Sequence, residues 1–184
     1  MSNLTQVLQA LQQQGVIAYP TEAVYGLGCD PDSEIAVHAL LTIKQRPVEK
    51  GLILIAANYS QLLPYIDDSA ISTSMRQQIL ASWPGHISWV LPASNTAPKW
   101  ITGQFSSIAV RVSAHPVVQQ ICLAFGKPIV STSANLSGQP AITEATVLYQ
   151  QMSDRVSAIM PGNLGGAGQP SQIRNALTGD IVRS

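Results

Sequence analysis

The chain has 184 residues, 46% hydrophobic and only 11% charged, with ten Lys or Arg against ten Asp or Glu and a formal net charge of zero. That length suits one domain with a sizeable core. The lack of a basic excess excludes a broad polyanion-binding surface, so any contact with nucleic acid has to come from a local patch.

Cys29 and Cys122 have no neighbour at zinc-ligand spacing and read as small buried hydrophobes. Residues 1–15 lack the basic start and apolar core of a signal peptide. No run reaches the roughly 20 apolar residues of a membrane span, so a cytoplasmic protein is expected. Leu4, Val7, Leu8 and Leu11 recur at helical spacing, and Gly15 supplies a stop. Residues 16–19 read as a buried strand ended by Pro20, followed by a stretch, 21–28, that is polar at one end and glycine-rich at the other. Asp32 or Ser33 can cap a second helix with Ala36, Leu40 and Ile43 on one face. That helix delivers Lys44. Residues 44–50 then pack three of the ten cations into seven positions, and Pro47 helps to end the helix. Cations are favoured where a helix closes, so the cluster is either a plain terminus or an anion site.

Residues 51–56 form a short apolar strand, Asn58 opens a short helix to about Ile66, and Ser69 or Ser72 opens another that ends before Trp83. Residues 87–91 alternate as a strand closed by Pro92, 93–106 read as a loop, and 108–112 as a strand. His115 and Pro116 open a helix to about Phe125, with Pro116 where a missing N–H costs nothing. A strand at 128–130 runs into the polar stretch 131–138. A helix from about Thr143 to Met152, a strand at 156–160, a glycine-rich turn at 162–168 and a last strand near Ile181 follow. Several links between strands are too short for a helical crossover. The expected fold is therefore α/β: a single domain, residues 1–184, with a twisted, open mixed sheet flanked by helices.

Standard nucleotide fingerprints fail: Gly26 and Gly28 would need a third glycine where Pro31 stands, and no G-x-x-x-x-G-K-[ST] loop occurs. His38, His86 and His115 are scattered singly and receive no role. The row Ser131, Thr132, Ser133 and Asn135 has the composition of an ordinary turn. It also follows a buried strand, and strand ends in α/β sheets commonly bind ligands; small hydroxyls and N–H groups there would cradle phosphate oxygens. Arg111 stands in an otherwise apolar strand and needs an anionic partner. With the cation cluster, these features point to a polyanionic ligand and to chemistry by positioning and charge neutralisation, as in phosphoryl or nucleotidyl transfer. G-x-S-x-G is absent. A hydrolase using Ser131 or Ser133 with Lys127 would need lysine and serine to face each other from one strand.

The run PTEAVYGLG at 20–28, the pair Lys44 and Arg46, AVRV at 109–112 and STSAN at 131–135 resemble, in this order, the YrdC-like family of L-threonylcarbamoyladenylate synthases. The similarity covers essentially the whole chain, and its end soon after Arg183 resembles the short single-domain bacterial form. The resemblance implies a concave, positively charged cavity in an open twisted sheet. It implies a cytosolic nucleotidyltransferase that turns L-threonine, bicarbonate or dissolved carbon dioxide, and ATP into threonylcarbamoyl-AMP and pyrophosphate. The product would serve the N6-threonylcarbamoyl modification of adenosine 37 in tRNAs reading ANN codons, with partner proteins making the transfer. Family members of this form are also linked to double-stranded RNA binding and ribosome maturation, which is the rival reading.

Carried over onto matching residues, Lys44 and Arg46 would be catalytic. ATP would meet Lys44, Lys50, Ser107, Ser133, Asn135 and Arg183; threonine would meet Thr21, Arg111, Ser131 and Ser171. Around Ser171 the chain departs from the family pattern, with GQPSQI at 168–173 in place of G-x-x-S-T-I. No residue is assigned to a metal, so Mg2+ would be bound mainly through the phosphates and water.

Overall fold

The computed structural model describes residues 2–183. Helix α1 (Leu4–Gln12) begins with a reciprocal cap, in which Asn3 accepts from the Gln6 N–H and the Gln6 side chain accepts from the Asn3 N–H. It leads to β1 (Ile17–Pro20), which pairs antiparallel with β2 (Tyr25–Gly28). The stretch 21–28, to which the sequence pattern assigns no element, is therefore half strand. Its glycines hid it: a Cβ on Gly28 would lie 2.5 Å from the Val130 carbonyl and 2.9 Å from the Tyr19 ring. Glycine here admits a close backbone approach inside a sheet, which a pattern reading takes for a turn.

Helix α2 (Glu34–Lys44) is capped by the Ser33 hydroxyl and stops at Gln45, which adopts the left-handed conformation with φ 47°. The remaining elements are β3 (Ile53–Ala56), α3 (Thr73–Ala81), β4 (Ile87–Pro92), α4 (Lys99–Thr102), β5 (Ser107–Val112), α5 (Pro116–Phe125), β6 (Ile129–Ser133), α6 (Ala145–Met152), β7 (Ala158–Ile159), β8 (Gln172–Asn175) and β9 (Ile181–Arg183). The helix expected from Asn58 to about Ile66 is a single 3-10 turn, Tyr59–Gln61, because Pro64 cannot continue a helix. Conversely, α4 lies where a loop was expected; four residues are too few to show a helical period. Strand β8 was not anticipated, since Gln172, Arg174 and Asn175 give it no apolar run.

The strands form one nine-stranded mixed sheet in the order β7-β1-β2-β6-β3-β5-β4-β8-β9. Pairs are parallel where β1 meets β7, β3 meets β5 and β4 meets β8, and antiparallel elsewhere. The period of two divides the core between the faces. Ala18, Leu54, Val110 and Val130 pack with residues of α2, α3 and α6 on one side. Ile17, Tyr19, Ile55 and Ile129 pack with α1 and α5 on the other. Burial on both faces explains the unbroken apolar runs of the central strands. Helices α1 and α5 pack against each other and over β7, β1 and β3, which leaves the same face bare toward β5, β4 and β8. Both cysteines are free and buried. No helix of the described residues is long and apolar enough to cross a membrane.

Candidate functional site

A cavity of about 580 Å³ lies on the bare face. Its floor is built from alternate residues: Ile53 and Ile55 of β3, Ala109 and Arg111 of β5, Ser131 and Ser133 of β6. Residues two apart on a strand point the same way, so the strand period itself gathers them. The cavity thus spreads across the sheet rather than sitting beyond its strand ends. The hydroxyl row is strand and not turn: β6 runs on to Ser133, which lies opposite Gly26, while Ser131 lies opposite Ile53.

Of the residues singled out in the sequence, Thr21, Arg46, Lys50, Ser107, Arg111, Ser131, Ser133, Ser171 and Arg183 line this cavity. Lys44 and Asn135 stand behind it, bound to each other. Lys44 Nζ donates to the Ser133 carbonyl at 2.7 Å, to the Asn135 carbonyl at 3.2 Å and to the Asn135 side-chain oxygen. Burial, with the Arg46 charge second, pushes Lys44 down to about 8, against the pull of those acceptors toward the charged form. The left-handed Gln45 turns the next side chain away from Lys44. Arg46 instead donates from Nη2 to the Gly51 carbonyl at 3.0 Å. Its Nε is buried without a partner among the described residues, and burial holds the guanidinium below its ordinary value. A buried, unpaired N–H beside a cavity is an open seat for a ligand oxygen.

Arg111 is 6% exposed. Its Nη1 lies 3.2 Å from Glu22 Oε2 and 3.0 Å from His86 Nδ1. The contact with Glu22 is close enough for an ion pair, though not aligned as a hydrogen bond. Glu22 is itself anchored, accepting from the Ser113 hydroxyl at 2.7 Å and the Ala114 N–H at 3.2 Å. Burial pushes the Glu22 carboxyl up, but the Arg111 charge and the Ser113 hydrogen bond together bring it below the usual carboxylate value. Burial lowers Arg111 in turn, with Glu22 pulling it back up. Neither partner was found from sequence. The signal for Glu22 was there, since a buried arginine demands a carboxylate and Glu22 stands beside Thr21; nothing marked His86.

Smaller groups complete the walls. The Thr21 hydroxyl donates to the Val24 carbonyl at 2.7 Å, which leaves its oxygen to accept. The Tyr19 hydroxyl donates to Ser131 Oγ at 2.8 Å. Ser171 Oγ lies 3.0 Å from Ser88 Oγ, and Arg183 Nη2 donates to the Ser171 carbonyl at 3.1 Å. Four of the ten cations, Arg46, Lys50, Arg111 and Arg183, line the cavity. Among the described residues that line it there is no carboxylate. Lys127 is engaged elsewhere, with Asp30 at 2.7 Å and Asp32 at 2.8 Å, and does not line the cavity. This removes the hydrolase reading, which required Lys127 to meet Ser131 or Ser133.

Fold and site together define an α/β open-sheet protein with a cavity lined by cations and small hydroxyls on an uncovered sheet face. The chain belongs to the Sua5/YciO/YrdC family, whose model, described as "Telomere recombination", matches residues 9–184. It is 61% identical over 181 residues to the threonylcarbamoyl-AMP synthase of Yersinia enterocolitica, covering 98% of this chain and 94% of that one. It is 55% identical over 183 residues to the threonylcarbamoyl-AMP synthase of Vibrio campbellii, covering 100% and 99%. The crystal structure of P. abyssi Sua5 complexed with L-threonine superposes with a TM-score of 0.88 at 29% identity. That match covers 97% of this chain, which spans about half, 52%, of the Sua5 chain. E. coli YciO shares the fold, with a TM-score of 0.79 at 24% identity over 98% of this chain and 88% of that one.

Proposed function

We propose that this protein is a threonylcarbamoyl-AMP synthase, a nucleotidyltransferase of residues 1–184 that joins L-threonine, bicarbonate and ATP. The observation that carries the reading is Arg111: a buried guanidinium on the cavity floor, fixed in place and sharing the cavity with the Thr21 turn. Two full-length relatives with that name and a threonine-bound Sua5 support it.

In this reading Arg111 takes the threonine carboxylate through its planar fork, and Thr21, Ser131 and Ser171 contact the rest of the amino acid. The threonine amine adds to bicarbonate with loss of water, giving a carbamate. A carbamate oxygen then attacks the α-phosphorus of ATP as the bond to the β-phosphate oxygen breaks, and pyrophosphate leaves. Carboxylate, carbamate and triphosphate repel one another in the ground state. Arg46 and Lys50 offset that repulsion from the cavity wall, and such preorganised charge contributes several kcal/mol to a transition state. Lys44 acts from behind by fixing Ser133 and Asn135, while Ser107 and Arg183 hold nucleotide. The lining offers Mg2+ hydroxyls and carbonyls rather than carboxylates, so phosphate oxygens and water would supply most of its shell. The product passes to partner proteins that modify adenosine 37 of tRNA in the cytoplasm.

The test is pyrophosphate release with threonine and bicarbonate omitted in turn. Release should need both, and Arg111→Lys, which keeps the charge but loses the fork, should raise the threonine KM far more than the ATP KM. Release that ignores threonine would sink the assignment.

A further inference from the structure

Arg111 is gripped from two sides, and both grips lead to one loop. Residues 162–171 lead into β8, and of them Pro170 and Ser171 line the cavity. There the Ala167 N–H donates to the Glu22 carbonyl at 2.8 Å, and two residues later the Gln169 carbonyl lies 2.6 Å from His86 Nε2. Glu22 and His86 are the two side chains that touch Arg111 Nη1. The hydrogen-bond chemistry of the ring is then decided by its neighbours. A guanidinium only donates, so His86 Nδ1 must accept from Arg111; a carbonyl only accepts, so Nε2 must carry the proton given to Gln169. His86 is therefore the neutral Nε2–H tautomer, with both nitrogens committed. Glu22 supplies charge without hydrogen-bond alignment, whereas the His86 bond is directional. A cation held by charge alone can swing about its partner; a directional acceptor at Nη1 fixes the plane of the fork.

We propose that His86 is a positioning residue for threonine: it orients the Arg111 fork toward the amino-acid carboxylate and ties that orientation to the loop at Gln169. The proposal rests on the reading of Arg111 given above. It makes His86 act on threonine and not on ATP.

The experiment compares three variants by calorimetric threonine binding and by the KM for each substrate, with thermal melting as the folding control. His86→Ala removes both bonds and should weaken threonine on the order of tenfold, the usual cost of a hydrogen bond to a charged group, while the ATP KM stays within about twofold. His86→Asn can place its amide oxygen close to the position of Nδ1, and should recover most of the loss. His86→Gln reaches instead to the position of Nε2, keeping the link to Gln169 alone, and should stay near the alanine variant. An alanine variant that binds threonine as wild type does, or one in which both KM values rise together, overturns the proposal. So does equal loss in the Asn and Gln variants, a comparison that stands even if the alanine variant fails to fold. Arg111→Lys separates the two readings. If it spares threonine, the role of Arg111 falls and His86 with it; if it weakens threonine while His86→Ala does not, the His86 proposal alone fails.

Discussion

At the scale of single residues, the site is organised by the cost of burying charge. Arg111 is tolerable under the sheet because Glu22 faces it, and Glu22 because Ser113 and Ala114 donate to it. Replacing Glu22 by Gln leaves the arginine buried without a counter-charge, and the expected loss is about 3 kcal/mol in urea unfolding at pH 7. The pH dependence follows from the depressed carboxyl of Glu22. Its stabilisation is complete above the unfolded carboxylate value of about 4.3 and is lost as pH falls through the lower folded value, so the gap between wild type and variant should close in acid. A gap that stays constant down to that range would mean that the pair does not carry the difference. Lys44 titrates the other way. Pushed down to about 8 by burial and by Arg46, it loses its charge, and with it one of its hydrogen bonds to the Ser133–Asn135 segment, as pH rises through that value. The pH profile of kcat/KM for ATP should fall on that alkaline limb in wild type and hold level there in Lys44→Arg, which stays charged. A limb that survives the substitution belongs to another group.

At the scale of elements, α2 shows why the K-x-R spacing works. A helix continued through Gln45 would carry Arg46 further round its own axis; the left-handed residue ends it and sends Lys44 to the end of β6 and Arg46 to Gly51. Gln45 bears the steric cost of φ 47°, which glycine would not. Gln45→Gly should therefore raise stability by about 0.5–1 kcal/mol in chemical denaturation with kcat unchanged; a loss of stability would show that the Gln45 side chain matters more than its backbone. Elements with a strong period were legible: α1, α2, α5 and the apolar strands β1, β3, β4 and β5 lie where their patterns put them. The others lack such a period. β2 is spelled with glycines needed for contact with Tyr19 and Val130, β8 with polar residues at a sheet margin, and α4 with a single turn of helix. The cations of the site stand out because the chain has only ten of them, and the hydroxyls because Ser131, Thr132 and Ser133 stand in a row after an apolar strand. The pairing of Arg111 with Glu22 and His86 was hidden because it joins residues far apart in sequence, and periodicity reports only on neighbours.

At the scale of the whole molecule, the middle of the sheet carries both core and cavity, whereas its margin adds little to the core. Strand β1 is buried on both faces, and β3 and β6 add Leu54, Ile55, Ile129 and Val130 to the core while Ile53, Ser131 and Ser133 line the cavity. Toward β8 and β9 one face is bare, and the last hairpin adds only Ala176 to the buried clusters while Leu177, Ile181 and Val182 stay exposed. Such a margin can be altered without unfolding the centre. Arg183 lies on that margin, yet it lines the cavity and holds the Ser171 carbonyl at 3.1 Å. Arg183→Ala should accordingly leave the melting temperature almost unchanged, as partly exposed substitutions away from the core usually cost no more than about 0.5 kcal/mol. It should raise the ATP KM on the order of tenfold, because a charge-assisted contact to phosphate is lost. The threonine KM should rise less, through the loosened Ser171. Ile181→Ser, on the same strand but outside the cavity lining, provides the control and should change neither constant. If both substitutions raise the ATP KM alike, the hairpin matters as a wall and not through the guanidinium; if neither does, nucleotide is held without β9.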